Sequence, residues 1–185
     1  MKEKSEARKL DEERRAAGKA LAFGLADDGR IPNSRLPVLL YRDAVRPARD
    51  PAAAFETLFA ANGWGGSWRN GIYPFHHYHS TAHEVLGVYR GAATVQLGGE
   101  RGVTQKVSAG DVLIIPAGVA HKNLGATGDF GVVGAYPPGQ DWDMNYGRPE
   151  ERPRTDRNIS RVALPRTDPV YGAGGPLTEH WVAAK

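Results

Sequence analysis

The sequence predicts an all-β domain that is preceded by one helix and followed by a proline-rich extension. From Ser67 to Tyr136 the chain consists of short runs rich in Val, Ile, Tyr and Phe, separated by glycine-containing turns. Residues 2–22 are rich in Ala, Glu, Lys and Arg, which is typical of a helix. Seven of the 13 prolines fall between Pro137 and Pro176, which predicts an irregular, extended segment that wraps the core.

The N-terminal helix has only a thin apolar stripe, formed by Ala7, Leu10, Ala17 and Leu21. Such a helix either lies loosely on the surface or packs on a partner subunit. A segment punctuated by prolines follows, with one predicted strand at Val38–Arg42 and one predicted helix at Pro51–Ala61. This helix opens with a proline and ends near an Asn-Gly pair, as helices commonly do.

Composition narrows the class of protein further. A chain of 185 residues with 41% hydrophobic residues builds one packed core, so a two-domain enzyme is not expected. The chain has no cysteine, which excludes disulfides, thiolate nucleophiles and cysteine-ligated metals. Any metal must therefore be bound by histidine and carboxylate.

Charge and hydropathy argue against nucleic-acid and membrane partners. The net charge is +3, and the bases alternate with acids instead of forming a basic stripe. No apolar run approaches the roughly 18 residues that a membrane span needs. The N-terminus carries acids among its bases and lacks the apolar stretch of a secretory signal. We expect a cytoplasmic protein.

Four histidines and a glutamate lie within nine residues, namely His76, His77, His79, His83 and Glu84. Because side chains alternate between the faces of a strand, His77 and His79 share one face, about 7 Å apart along the strand. Tyr73 and Phe75 have the same parity, so we expect them to point inward on the same face as these histidines, as core or substrate contacts.

A further histidine, His121, lies 37 residues beyond Glu84, after a buried run and a turn. Three imidazoles and one carboxylate suit a borderline divalent transition metal: iron, nickel, zinc, cobalt, copper or manganese. Four protein ligands on a metal that prefers six leave two positions for water, substrate or dioxygen. This arrangement is typical of a catalytic site.

The spacing of these residues resembles the two motifs of the cupin family. The first motif is matched at every fixed position, by Gly71, His77, His79, Glu84 and Gly91. Most of the second is matched, by Gly110, Pro116, Gly118 and His121. The asparagine that closes the second motif is replaced by Gly125, and Asn123 lies two residues early. From about Ile31 to Trp181 the chain resembles the YjlB-like cupins, a bacterial subfamily, in phrases such as VGAYPPGQDWD.

The resemblance implies a double-stranded β-helix, or jelly-roll barrel, over residues 31–140. Residues 1–30 would form a helical extension and residues 141–185 a wrapping segment of the same domain. The implied metal ligands are His77, His79, Glu84 and His121, with one iron, nickel, manganese or zinc per chain. Cupin barrels commonly pair, so the resemblance also implies a homodimer.

These features favour a metal-dependent dioxygenase or isomerase that acts on a small oxygenated molecule, with Glu84 as ligand or general base. Tyr73, Phe75, Asn123 and Tyr136 are the candidate substrate contacts. The alternative is a non-catalytic barrel that binds or senses a small ligand in the same pocket. A metal-free structural barrel is a third possibility.

Several residues near the two motifs do not match them. His76 and His83 fall outside the motif and are assigned to surface or packing roles. The run that begins at His83 lacks the second histidine of a zinc protease, because Gly87 stands in its place. Arg69 and Asn70 could orient an anionic or carbonyl group at the mouth of the barrel.

Overall fold

Nine antiparallel strands form the protein, as seen in a computed structural model that describes residues 20–46 and 48–182. They are β1 (Leu21–Leu25), β2 (Ser34–Tyr41), β3 (Gly65–Asn70), β4 (Glu84–Arg90), β5 (Ala92–Leu97), β6 (Val103–Ser108), β7 (Val112–Ile115), β8 (His121–Ala126) and β9 (Gly131–Tyr136). A six-stranded sheet has the order β1-β2-β7-β4-β9-β3, and a three-stranded sheet has the order β6-β5-β8. The two sheets form a jelly-roll barrel, which confirms the all-β fold class.

The larger sheet is buried on both faces in its centre. Strands β7 and β9 are buried throughout, and their runs of Val, Ile and Leu are typical of strands without a solvent-facing side. One face joins the smaller sheet in a core that includes Leu86, Leu113 and Val95. The other face packs against a helix through Phe55 and Phe59. The inner core forms the interior of the barrel.

The helix on the outer face, α1, spans Pro51–Ala61, the same residues that the sequence predicts. Asp50 caps its N-terminus, since the carboxylate accepts a hydrogen bond from the Ala53 N–H at 3.1 Å. Gly87 of β4 allows the helix to approach, because a β-carbon at this position would lie 2.3 Å from the Phe55 ring. Helix α1 therefore covers the middle of the sheet closely.

The start of the chain departs from the prediction at one point. The helix predicted for residues 2–22 lies largely outside the described residues, but Leu21 and Ala22 belong to strand β1, which pairs with β2. Leu21, assigned to the buried face of that helix, is 44% exposed. Pairing with β2 satisfies the backbone here and overrides local helix propensity. Strand β2 also begins earlier than the predicted Val38.

The C-terminal segment packs across the barrel and contains more helix than the sequence suggests. It includes a 3₁₀ turn (Pro149–Glu151) and two short helices, α2 (Arg154–Ile159) and α3 (Pro176–His180). The buried Asp168 carboxylate accepts a hydrogen bond from the Tyr41 hydroxyl at 2.6 Å. The Trp181 indole donates to the Pro37 carbonyl at 2.9 Å. These contacts attach the segment to β2.

No helix among the described residues has the length and apolar character needed to cross a membrane.

Candidate metal centre

The four predicted ligands converge inside the barrel from three places in the chain. His77 and His79 lie in the segment before β4, Glu84 is the first residue of β4, and His121 is the first residue of β8. A bridge of two backbone hydrogen bonds, 3.3 and 3.0 Å long, joins His77 to His121. Backbone pairing between segments that are distant in sequence therefore brings the second motif against the first.

The three imidazoles form a buried cluster. One ring nitrogen from each of His77, His79 and His121 lies within 4.8 Å of the others. The Glu84 carboxylate faces the same point, with Oε1 3.5 Å from His79 Nε2 and Oε2 3.2 Å from His121 Nε2. All four residues are buried. The structure thus assembles three nitrogen donors and one carboxylate in one place.

Hydrogen bonds on the far side of two rings fix their tautomers. Nδ1 of His79 faces the backbone carbonyl of Asp143 at 2.5 Å, and Nδ1 of His77 faces the carbonyl of Phe75 at 3.3 Å. A carbonyl oxygen only accepts, so each Nδ1 carries a hydrogen, and in the neutral ring each Nε2 carries a lone pair. This is the arrangement found in histidine ligands of metals.

The same geometry shows that the residues fit a cation. In the neutral ring of His79, the Nε2 lone pair points at a carboxylate oxygen of Glu84, and two electron pairs facing each other repel. A proton or a metal ion between them removes the repulsion. A cluster of three nitrogens and one carboxylate matches the ligand preference of divalent transition metals.

The electrostatics of the cluster follow from burial and from mutual contact. Burial by itself raises the pKa of Glu84, but the facing charge of His79 and hydrogen bonds from His121 and His79 outweigh it and hold the pKa well below its usual range. Burial and the neighbouring His121 lower the pKa of His77 to about 3. Burial also opposes protonation of His79, yet contact with Glu84 leaves its pKa raised. Glu84 is therefore ionised and His77 neutral at pH 7, as metal ligation requires.

A segment after β9 supports this centre from outside. The Asp143 carboxylate accepts hydrogen bonds from the Ser80 N–H and from the Ser80 hydroxyl, both at 2.5 Å. The backbone carbonyl of Asp143 also faces Nδ1 of His79. Asp143 thus ties the C-terminal segment to the loop that carries a predicted ligand.

The cluster lies at the floor of a cavity of about 230 Å³. Tyr136, a predicted substrate contact, lines this cavity. Its hydroxyl donates to Glu84 Oε1 at 3.1 Å and accepts from the Trp68 indole N–H at 2.8 Å. Trp68 reaches this position by packing on Gly134, where a β-carbon would lie 2.2 Å from the indole ring. Tyr136 therefore connects the cavity wall to the carboxylate.

Two of the predicted inward aromatics are exposed and do not belong to the core. Tyr73 and Phe75 are 44% and 43% exposed, and their rings stack on each other with centroids 4.9 Å apart. The expectation assumed a strand, but residues 71–76 are not in one, so the alternation of faces does not apply. Tyr73 lines the cavity mouth, and Phe75 does not line the cavity.

Asn123 also does not line the cavity. Its side-chain oxygen accepts a hydrogen bond from the Gly125 N–H at 2.8 Å, so the amide is used within its own strand. Of the residues outside the motif, His76 is largely buried, with 13% of its side chain exposed, and its Nε2 lies 3.1 Å from the carboxylate of the exposed Glu100. His83 is buried, and its Nδ1 accepts a hydrogen bond from the Ala117 N–H at 3.0 Å.

Sequence reasoning missed several residues that shape the cavity. The remaining lining residues are mostly aromatic or apolar, and they include Trp68, Ile72, Leu86, Trp142 and Met144. Trp142 and Met144 come from the proline-rich segment after β9. The phrase that contains Trp142 is part of the resemblance described above, but no local periodicity places it at the site.

Comparisons with known proteins agree with this architecture. A family model described as a cupin domain matches residues 69–133. The chain is 45% identical over 157 residues to a Bacillus subtilis (strain 168) protein named "Uncharacterized protein YjlB", covering 84% of this chain and 93% of that protein. The chain belongs to the cupin family. Its similarity to YjlB extends over most of both chains.

Two solved structures resemble parts of the chain. Acireductone dioxygenase from Bacillus anthracis, with cadmium in its active centre, is 15% identical with a TM-score of 0.41, covering 59% of this chain and 83% of that one. Procruciferin, an 11S globulin from Brassica napus, is 22% identical with a TM-score of 0.35 over 60% of this chain. The match spans 22% of the globulin chain.

Proposed function

We propose that this cupin is a metal-dependent enzyme, of the dioxygenase or isomerase type, that acts on a small oxygenated organic molecule. His77, His79, Glu84 and His121 would hold one iron, nickel, manganese or zinc ion per chain. The observation that supports this most directly is the buried convergence of three imidazoles and an ionised carboxylate at the floor of a cavity.

The chemistry divides between the metal and the protein. When bound, the metal would act as a Lewis acid on an enolate, catecholate or hydroxy-carbonyl group of the substrate. Glu84 would ligate the metal or accept a proton from the substrate, because its carboxylate is ionised and faces the cavity floor. The Tyr136 hydroxyl would hold Glu84 Oε1 in place. The cavity walls would exclude water from the reacting atoms.

Elemental analysis of protein purified without added metal or chelator tests the site. We expect about one metal ion per chain in the wild type and its loss in His77→Ala. His76→Ala is the matched control, because this neighbouring histidine pairs with Glu100 and lies outside the cluster. Absence of metal from the wild type, or equal metal content in both variants, would overturn the ligand assignment.

Two further variants test catalysis, with a panel of small oxygenated substrates under oxygen and reductant. His121→Ala should lose both metal and activity. Glu84→Gln should keep part of the metal but lose turnover, and full activity in this variant would refute the role as a base. A wild type that binds metal and ligand without forming product would favour a non-catalytic binding barrel.

We also propose that the protein is cytoplasmic and forms a homodimer, and that residues 1–19 contribute to the dimer interface. Light scattering on a variant lacking residues 1–19 tests the last point. The expected result is a fall from dimer to monomer mass, and an unchanged mass would remove these residues from the interface.

A further inference from the structure

The walls of the cavity differ sharply in chemistry from its floor. The floor holds the four polar residues of the cluster. Four aromatic side chains, Trp68, Tyr73, Tyr136 and Trp142, line the walls together with aliphatic residues. The centroid of the Trp142 ring lies 5.6 Å from that of the His79 ring and 6.4 Å from that of the Tyr136 ring. The Trp142 and Tyr136 rings are nearly parallel, with 23° between their planes. Aromatic faces therefore stand directly beside the candidate metal position.

Among the described residues, no Arg or Lys without a carboxylate partner lines the cavity. Arg69 is its only lining Arg or Lys among the described residues. The guanidinium of Arg69 is engaged by both carboxylate oxygens of Glu56, each at 2.7 Å. A carboxylate or phosphate on the body of the substrate would enter an apolar cavity without a partner, which is unfavourable. The part of the substrate that contacts the walls should be uncharged.

The size of the cavity limits the substrate to about one ring. An apolar cavity of about 150 Å³ is known to hold benzene. The cavity here, about 230 Å³, has room for such a ring and for a small group that reaches the floor. Aromatic walls favour a flat ring over a puckered one, since stacked or edge-to-face contacts add to the burial of apolar area.

We propose that the site takes an uncharged, planar single-ring molecule that presents two adjacent oxygen atoms to the metal, and that Trp142 determines this specificity. The inference rests on the proposed metal site and adds the class of substrate. Trp142 acts from the wall: it contacts the ring of the substrate and takes no part in metal ligation. It is 51% exposed, so its replacement should not unfold the barrel.

Hydroxamates are suitable probes because one metal-binding group can carry different bodies. The experiment measures calorimetric binding of four compounds to the full-length chain loaded with Ni²⁺, which accepts six ligands and is not oxidised by air. Acetohydroxamate has no ring, benzohydroxamate has a flat ring, cyclohexanecarbohydroxamate has a puckered ring, and 4-carboxybenzohydroxamate has a charged ring. We expect benzohydroxamate to bind at least about tenfold more tightly than each of the other three.

Variants at the wall separate the contribution of Trp142. Trp142→Ala should weaken benzohydroxamate about tenfold and leave acetohydroxamate unchanged, and Trp142→Phe should restore most of the loss. Tyr146→Ala is the matched control, because this half-exposed aromatic lies outside the cavity lining and should change neither affinity.

The outcomes distinguish the two proposals. Equal affinities for benzohydroxamate and acetohydroxamate would overturn the substrate class while leaving the metal site in place. Preference for the charged or puckered ring would overturn it as well, and an unchanged profile in Trp142→Ala would remove the role of Trp142. If the wild type takes up no Ni²⁺, or binds it but no hydroxamate, the proposed metal site or its open positions fail first.

Discussion

Replacement of Tyr136 by phenylalanine should weaken the candidate metal centre without changing any ligand. The variant keeps the ring that lines the cavity and removes only the hydroxyl. That hydroxyl donates to the buried Glu84 carboxylate at 3.1 Å and accepts from Trp68 at 2.8 Å. The carboxylate loses one hydrogen-bond donor, and its buried charge becomes less well stabilised.

The magnitude follows from the kind of bond that is lost. A hydrogen bond to a charged group contributes about 1.5–3 kcal/mol. Loss of the hydrogen bond from Trp68 adds little to this cost, because the indole is only partly buried and water can replace the lost acceptor. We therefore expect the free energy of unfolding of the metal-free protein to fall by about 2 kcal/mol, and Tm by about 4–8 °C. Loss of a hydrogen bond to a ligand should lower metal affinity about 10- to 100-fold.

Chemical denaturation and competition with a chelator measure these two quantities. Tyr89→Phe is the matched control, because its hydroxyl makes no hydrogen bond to another described residue; it should change neither value. If Tyr136→Phe equals wild type in both stability and metal affinity, the hydroxyl does not position Glu84. A loss of stability with unchanged metal affinity would restrict Tyr136 to a structural role.

Three further substitutions test the burial of His83, the packing of α1 on the sheet and the support that Asp143 gives to the candidate metal centre. Burial lowers the pKa of His83 to about 4, below the value near 6.5 in the unfolded chain. Between pH 4 and pH 6.5 the unfolded chain therefore binds about one proton more than the folded chain. The contribution of His83 to the free energy of unfolding should fall by about 1.4 kcal/mol per pH unit as the pH drops from 6.5 to 4. His83→Gln should make the pH dependence of unfolding shallower by that amount, and an unchanged slope would contradict it. Gly87→Ala should lower stability by about 1–3 kcal/mol in a melt, because its new methyl group overlaps the phenyl ring of α1. Gly65→Ala, which has open space, should cost much less, and equal losses would refute close packing as the cause. Asp143→Ala should lower metal affinity about tenfold in the chelator assay, because Ser80 and its loop lose their anchor; wild-type affinity would show that the anchor is dispensable.

Local pattern predicted the elements that depend on neighbouring residues. The helix Pro51–Ala61 carries its own start and stop signals, and the structure has the same bounds. The four residues of the candidate metal cluster follow from fixed spacing in two motifs, and a backbone bridge between His77 and His121 brings the two motifs together. The expectation that Tyr73 and Phe75 point inward as core residues was wrong, because the two-residue period holds only within a strand and neither residue lies in one.

By itself, the sequence determined the barrel class, the position of α1 and the set of residues that converge at the floor of the cavity. Periodicity, turn residues and motif spacing are local properties, and they are sufficient for those features. Only the tertiary structure decided that Trp142 lines the cavity, that Glu56 pairs with Arg69 and that the Tyr136 hydroxyl donates a hydrogen bond to Glu84. The physical reason is that these contacts join segments that are distant in the chain, and they depend on how the elements pack rather than on any local pattern.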